Sequence, residues 1–413
     1  MLVKSRKFAR VLRELASKLA LVSPSMRARE LQQALQLVND RLPPCLYFPL
    51  FSSRYELFWL LAIRTEECRV FHTNKRAPIL CVAEINVVTL AGGRTPGKRE
   101  GPALESPAVG QGLSEEEALA MLGESFSQQA GHGTGGESGD GEGRACGPEA
   151  SQEQEPRAAL GSRVGREIGA AAQGEDGLFQ PSVGAVSEDS AGPLGPSVAP
   201  EGEEEERRQM MEAFYGECWE AKRRRIKARS HSGGETGWDL VAFIVKSDDD
   251  IRQEQFAMAL VSHFHEMFRA ARCNCWLRPY SVVATAPDSG FIEVVPDCVS
   301  LHSLRDQWAE MKWAATDQTL YTHFVRCYGP EHTREYKAAQ RNFIESMAGY
   351  AVVCYLLQVK DRNDGNLLLT RDGHILHIDF GFMLSNTPGD MAFEQAPFKL
   401  TSEYVQVCKC TLV

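Results

Sequence analysis

The sequence predicts an α+β fold in two lobes, with an antiparallel sheet leading and a helical part following. Three observations predict it. Strand-like runs punctuated by turn residues fill 45–92 and recur between 238 and 295. A helix-rich stretch covers 299–359. Beyond it, "NLLLT" and "HILHI" flank the turn signal "RDG", a hairpin with Asn366 at one end and Asp-Phe-Gly (379–381) at the other.

Residues 1–44 read as two helices, separated by "SPS" and ended by "PP". The first 29 residues carry Lys4, Arg6, Lys7, Arg10, Arg13, Lys18, Arg27 and Arg29 against the single acid Glu14, a balance that also resembles a mitochondrial presequence. The recurrence of Phe8, Val11, Leu12, Leu15, Leu19 and Leu21 favours a packed helical hairpin instead. Residues 45–92 supply the first part of the sheet: "CLYFPLF", "LFWLLAI", "CRVFHT" and "ILCVAEINVV". Residues 93–205 hold 7 Lys+Arg, 21 Asp+Glu and two aromatics, Phe126 and Phe179. Such a stretch cannot bury enough apolar area to offset its chain entropy, so a disordered acidic insertion is expected.

Residues 206–295 complete the leading lobe. "MMEAFYGECWEAKRRRIKAR" places Met211, Phe214, Cys218 and Trp219 on one helical stripe and ends in a basic cluster. That cluster is open to three readings: a solvated helix end, a lipid-facing patch or a nuclear signal. Next come the strand "WDLVAFIVK", ending in Lys246, the helix "DIRQEQFAMALVSHFHEMF", and the strands "SVVATA" and "FIEVV" around "PDSG". Residues 296–413 form the helical lobe with the hairpin.

The net charge of −10 is unevenly placed: the insertion alone accounts for −14, leaving the remainder at +4. A mildly basic body suits phosphate or anionic-membrane partners weakly, and no nucleic-acid partner is expected. No apolar run approaches the roughly 18 residues of a membrane span. Twelve cysteines, mostly in apolar runs such as those of Cys81, Cys327 and Cys354, read as reduced core thiols. The C-x-C pairs Cys273/Cys275 and Cys408/Cys410 have no further ligands at the spacing of a zinc site.

Phosphoryl transfer needs a lysine on the nucleotide phosphates, hard oxygen ligands for Mg²⁺ and a group that orients the attacking hydroxyl. Lys246 ends a strand, and Glu254, on the following helix, is placed to hold it. Asp361 is the candidate for orienting the hydroxyl; Asn366 and Asp379 are the candidate metal ligands, brought together by the hairpin. Each feature is weak alone. Their order, D-x-x-x-x-N, a DG turn, then H-I-D-F-G, is specific.

At these residues a family becomes visible. "VKSDDDIRQE", "DSGFIEVV", "QRNFIESMAGYAVVCYLLQVKDRNDGN", "GHILHIDFGFMLSNTPG" and "FKLTSEYV" closely resemble type III phosphatidylinositol 4-kinases, the beta-type branch best. "LPPCLYFPLF", "NKRAPILCVAEINV" and "WEAKRRRI" are similar to that branch too, so the resemblance covers about 1–92 and 206–407. It implies a bilobal, protein-kinase-like lipid kinase fold whose N-lobe tolerates a long insertion. It further implies transfer of the ATP γ-phosphate to the 4-hydroxyl of phosphatidylinositol, with Mg²⁺ (Mn²⁺ as an alternative). Lys246 would meet the ATP phosphates, Glu293, Val294 and Val295 would form the hinge to adenine, and Tyr280 and Ile378 would line the pocket. Asp361 would belong to the catalytic loop, with Asn366 and Asp379 as metal ligands. "SHSGGETG" (230–237) would be a loose counterpart of a glycine-rich phosphate loop. The resemblance also implies small GTPases and Golgi adaptor proteins as partners, and a cytoplasmic, peripheral place on Golgi or other endomembranes. The segment 383–399 has one cation, Lys399, against Asp390 and Glu394, which suits an unphosphorylated inositol head.

Two departures stand out. The family loop reads D-R-H-N-G-N; here it is "DRNDGN", with Asn363 in place of the His. Asn neither takes nor gives a proton near neutral pH, and loss of such help typically costs about 10²–10⁴-fold in rate. Asp364 could substitute in part if its carboxylate turned inward. Family members also continue well past "FKLT", so an incomplete C-lobe and a truncated transcript or gene model are expected. A low-activity nucleotide-binding or scaffold relative is the alternative reading.

Overall fold

Helix α1 (Leu2–Leu21) buries Phe8, Leu12, Leu15 and Leu19 along one stripe, and α2 (Pro24–Asn39) answers with Leu31, Ala34 and Leu35. Pro24 starts the second helix at the position where a missing N–H costs nothing. The buried Arg27 donates from Nε to the Val22 carbonyl and from Nη2 to the Ala20 carbonyl, at 2.9 and 3.0 Å, satisfying carbonyls at the end of α1. The two helices are therefore a packed hairpin set on the sheet, Phe8 sharing a core with Phe48, Phe243 and Phe291.

The computed structural model describes residues 2–43, 46–51, 56–71, 76–89, 201–387, 396 and 398–409. The disorder expected over 93–200 lies outside the described residues. Glu201 to Glu205, expected with it, instead open helix α3 (Glu201–Tyr215).

The leading lobe is an antiparallel sheet of β1 (Leu46–Tyr47), β2 (Glu56–Ile63), β3 (Arg69–Val70), β4 (Ile79–Thr89), β5 (Trp238–Ser247), β6 (Val282–Ala286) and β7 (Ser289–Glu293). Its order is β1-β2-β4-β5-β7-β6, with β3 pairing β4. The chain leaves at Thr89 and returns at Trp238 to pair β5 with β4, Asn86 opposite Trp238, so the insertion falls between adjacent strands. At the other end of β5, Lys246 faces Gly290 of β7. Helix α5 (Arg252–Ala270) follows at once.

The amphipathic stretch 210–229 is two helices rather than one. Gly216 takes φ +68°, ends α3, and α4 (Trp219–Arg229) restarts with the Trp219 N–H on Asp297 Oδ1 at 2.8 Å. The bend sends Phe214 into the lower-lobe core and Trp219 to the sheet. The basic cluster is largely spent internally: Lys222 and Arg225 pair with Glu67, Arg223 with Asp239, and Lys227 lies 5.5 Å from the Trp238 ring. This favours a helix end over a lipid-facing patch or a nuclear signal, with most of its cations paired to the sheet rather than solvated.

The second lobe holds α6 (Leu301–Glu310), α7 (Leu320–Tyr328), α8 (Arg334–Leu357) and α9 (Ser402–Cys408) around a sheet of β10 (Ile375–His377), β9 (Leu367–Thr370) and β8 (Cys298–Ser300). Ser300, Thr319, Thr333 and Thr401 each cap their helix by accepting a backbone N–H. Helix α8 is the spine: Phe343, Tyr350, Val353 and Leu357 are buried, and Gly349 leaves room for the Trp276 carbonyl, which a Cβ would meet at 2.4 Å. Its outer face leaves Ile344, Val352, Tyr355 and Leu356 exposed. Among the described residues no helix is long and apolar enough to cross a membrane.

Candidate active site

Strand β5 delivers Lys246 to the cleft side of the sheet, and a tight turn with Asp248 at φ +56° starts α5 directly behind it. The first turn of α5 therefore puts Glu254 within reach: its Oε2 lies 3.5 Å from Lys246 Nζ. Glu254 is buried, and its Oε1 accepts the Tyr280 hydroxyl at 2.7 Å. Asp249 adds a second acid, 3.8 Å from Lys246 Nζ and 2.9 Å from Arg76 Nη1. Burial opposes the Lys246 charge, but Glu254, Asp379 and Asp249 outweigh it and hold the ammonium above its ordinary pKa. Lys246 and Asp379, far apart in sequence, thus share one electrostatic neighbourhood.

The loop and the hairpin close the other side. Ile378 N–H donates to the Asn366 carbonyl at 3.0 Å, continuing the β9–β10 pairing in which His377 faces Leu367. This sets Asn366 beside Asp379. Asn366 Nδ2 donates to the Asp361 carbonyl (2.9 Å) and to Asp361 Oδ2 (3.3 Å). With the nitrogen so used, the amide oxygen is the atom left for a cation. Asp379 accepts the Gly381 N–H on Oδ1 at 3.2 Å. Asp361 and Asp379 both adopt φ +58°, a region non-glycine residues seldom occupy and one that recurs at functional sites. An amide oxygen just before β9 and a carboxylate just after β10 form a hard-oxygen set suited to Mg²⁺.

Asn363 turns out to be a structural member of this loop. Its Oδ1 accepts the Gly365 N–H at 2.9 Å and its Nδ2 donates to Asp361 Oδ1 at 3.0 Å. One acceptor position of Asp361 is thereby filled by an amide donor. Asp364 does not turn inward: its Oδ2 sits 2.5 Å from Arg305 Nε, so the substitute acid considered from the sequence is engaged elsewhere.

The remaining expected residues divide. Tyr280 is only 4 % exposed, packed in the core with Ile251, Met258 and Phe380; it bears on the site through its bond to Glu254. Burial and the Glu254 charge push its phenol well above the ordinary value, so it stays a donor. Glu293 ties the inter-lobe connection together, accepting from Arg278 Nη2 at 2.6 Å and the Ser281 N–H at 2.7 Å. Val294 N–H donates to Ala242 and the Val295 carbonyl accepts the Cys298 thiol. Ile378 is half-buried beside the hairpin.

The glycine segment 230–237 differs from expectation. Gly237 lies nine residues before Lys246 along one strand, about 30 Å at ~3.3 Å per residue, too far to cover the phosphates that lysine would hold. Its glycines answer packing needs: a Cβ on Gly233 would meet the Lys227 carbonyl and one on Gly237 the Val87 carbonyl at 2.4 Å. The N–H groups of Gly233 and Glu235 are already bonded within the segment, to Ser230 and Ser232.

Two further residues belong to the site. Arg362, 5 % exposed, donates Nε to the Lys360 carbonyl, Nη1 to that of Ile378 at 2.8 Å and Nη2 to that of Asp379, with its guanidinium 5.4 Å from the Phe380 ring. Gln253 donates to the carbonyls of Phe380 (3.1 Å) and Gly381 (2.7 Å) and accepts from Asn386 Nδ2. Adjacency to Asp361 and to Glu254 was the only sequence signal for either.

A strand lysine held by a helix glutamate, facing a loop-and-hairpin acid pair across two lobes, is the arrangement of a kinase-like fold. Comparison with known proteins agrees: residues 240–411 match the phosphatidylinositol 3- and 4-kinase family. Within the family the similarity is to 4-kinases of the beta type. Phosphatidylinositol 4-kinase beta 1 of Arabidopsis thaliana is 52% identical over 196 residues, covering 48% of this chain and 17% of that protein. Phosphatidylinositol 4-kinase of Dictyostelium discoideum is 47% identical over 193 residues (47% and 16%), and phosphatidylinositol 4-kinase beta of Xenopus tropicalis 44% over 191 (46% and 23%). The chain thus spans less than a quarter of the length of these relatives.

Proposed function

We propose that this chain acts as a phosphatidylinositol 4-kinase, passing the γ-phosphate of ATP to the 4-hydroxyl of phosphatidylinositol at a membrane surface. The observation that carries the reading is the meeting of Lys246, Glu254 and Asp379 in one charged neighbourhood, opposite a loop that holds Asp361 and Asn366. Similarity to the beta-type 4-kinases supports the lipid substrate.

In this reading Lys246 binds the nucleotide phosphates, oriented by Glu254, which Tyr280 fixes in turn. The segment Glu293–Val295, with Ile378, frames the adenine. Asn366 and Asp379 would hold Mg²⁺ or Mn²⁺, which when bound neutralises phosphate charge. Asp361 orients the inositol hydroxyl; positioning and electrostatics do most of the work. Peripheral attachment to Golgi or other endomembranes through small GTPases and adaptor proteins belongs to the same reading, supported by the beta-type resemblance.

The test is an assay of the chain on phosphatidylinositol vesicles with γ-labelled ATP and Mg²⁺, followed by positional analysis of the product. The 4-phosphate is expected, with Lys246→Met and Asp379→Asn each lowering turnover by about 10²-fold or more. A 3-phosphate product overturns the regiochemistry. No product with intact Mg-ATP binding gives the scaffold alternative.

A further inference from the structure

The catalytic-loop segment 361–366 is held from two sides. On the hairpin side Arg362 binds the carbonyls of Ile378 and Asp379. On the opposite side the anchor is Asp364, the residue that stands where the family loop has Asn. Its carboxylate meets Arg305 Nε at 2.5 Å, and the rest of the guanidinium turns to a second acid: Nη2 to Glu403 Oε2 at 3.0 Å and Nη1 to Glu403 Oε1 at 3.3 Å. One planar fork thus engages two carboxylates at once, a geometry that arginine has and lysine lacks.

All three parts stand on rigid supports. Arg305 projects from α6, whose Leu301, Leu304 and Trp308 are buried, and its guanidinium lies 5.8 Å from the Trp308 ring. Glu403 stands in the first turn of α9, capped by Thr401 and pinned by Tyr404, which packs on Phe343 of α8 at 5.8 Å. Asp364 opens the short turn 364–366, which leads straight into β9. The Glu403 and Asp364 carboxylates, working against partial burial, raise the Arg305 pKa above its ordinary value, so the clamp is charged at every physiological pH.

We propose that Arg305 is a positioning residue for phosphoryl transfer, clamping the catalytic loop through Asp364 to helix α9 through Glu403. The inference rests on the kinase reading above. It assigns Asp364 a role other than proton transfer: in this chain the acid exchanges the loop's acid–base help for a fixed mounting. Asp361 and Asn366 sit three and two residues from the clamped atom, so slack at Asp364 reaches both. Lys246 and the segment 293–295 lie on the other lobe and are untouched. The signature of the clamp is therefore loss of kcat with KM for ATP preserved.

The test is a double-mutant cycle of Arg305→Met and Asp364→Asn in the full chain, with lipid-kinase kinetics and hydrogen exchange read together. Each single variant is expected to lower kcat about tenfold, the effect of one charge-assisted hydrogen bond, with KM for ATP changed less than about twofold. The double variant should be no worse than either single one, because both remove the same link. Asp364→Asn is the sharpest arm, since it restores the family's residue type and yet is expected to slow the enzyme. In the Arg305→Met protein the Gly365 and Asn366 amides should exchange faster, with those of β5 unchanged. Unchanged exchange at those two amides, additive losses in the double variant, or a parallel fall in thermal midpoint and rise in KM overturns the clamp. If the unaltered chain gives no turnover, the kinase reading fails, and the exchange arm alone still decides whether Arg305 holds the loop.

Discussion

Asn363 exchanges chemistry for geometry. Its amide caps the Gly365 N–H and fills one acceptor position of Asp361, so the loop is well formed, but the side chain offers no titrating group at neutral pH. Asn363→His is therefore expected to raise turnover on phosphatidylinositol, by about 10²-fold where acid–base help is limiting. The gain should appear as a pH-dependent rise in kcat, checked by rate profiles between about pH 6 and 8, where an unperturbed His titrates. A flat profile with unchanged turnover would show that positioning alone sets the rate. Arg362 illustrates a different residue-scale solution: a buried cation satisfied by carbonyls rather than by a carboxylate, which burial pulls below its ordinary pKa. Asp379 and Asp361 offset that positive charge only in part.

At the scale of elements, the first turn of α5 joins the lobes. Removing the Gln253 amide takes the side-chain donor from the Phe380 carbonyl and one of two from the Gly381 carbonyl, which keeps Asn386 Nδ2, at about 1–3 kcal/mol for two neutral hydrogen bonds. Gln253→Ala is expected to lower kcat/KM about tenfold and to raise the Mg²⁺ concentration needed for half-maximal rate; metal titrations check this. Asp361, Asn366 and Asp379 could be placed together from the sequence because loop and hairpin order them within one short span, whereas Lys246, far upstream, was picked out only by its strand end and the Glu254 that follows it. Gln253 and Arg305 were not, since their partners lie 127 and 98 residues further along the chain. The helix break at Gly216 was hidden by an apolar stripe that continues across it. The glycines of 230–237 misled because glycine marks clearance and backbone freedom as readily as a phosphate cradle. The helical hairpin 2–39 was legible from its apolar recurrence, but its mooring on the sheet, through Ser17 to Asp248 and Arg13 to Asp288, follows from tertiary register alone.

For the whole molecule, the buried histidines set the acid limit. His323 is enclosed by Phe214 and Tyr215, and burial lowers its pKa from an ordinary 6.5 to about 3; His377, stacked on Tyr350, is shifted the same way. Both are neutral in the fold and take up protons only on unfolding. Their depressed values mean stability is full above about pH 6.5 and is lost as pH falls, for His323 down to about pH 3. Urea unfolding at pH 7 and pH 5 should show this loss, and His323→Gln should flatten part of it; equal midpoints in the two buffers would remove the histidines from the account.

Gln253 and Glu254 are consecutive residues, one on the backbone that presents Asp379 and the other on Lys246. The fold therefore ties its candidate phosphate lysine and its candidate metal ligand to one support, like two switches on one bar. A half-turn of α5 loosens both connections together, while Asp249 on Lys246 and Arg362 on the Asp379 carbonyl keep each charge partly tethered. Readiness for the proposed reaction is in that sense set largely in the first turn of one helix.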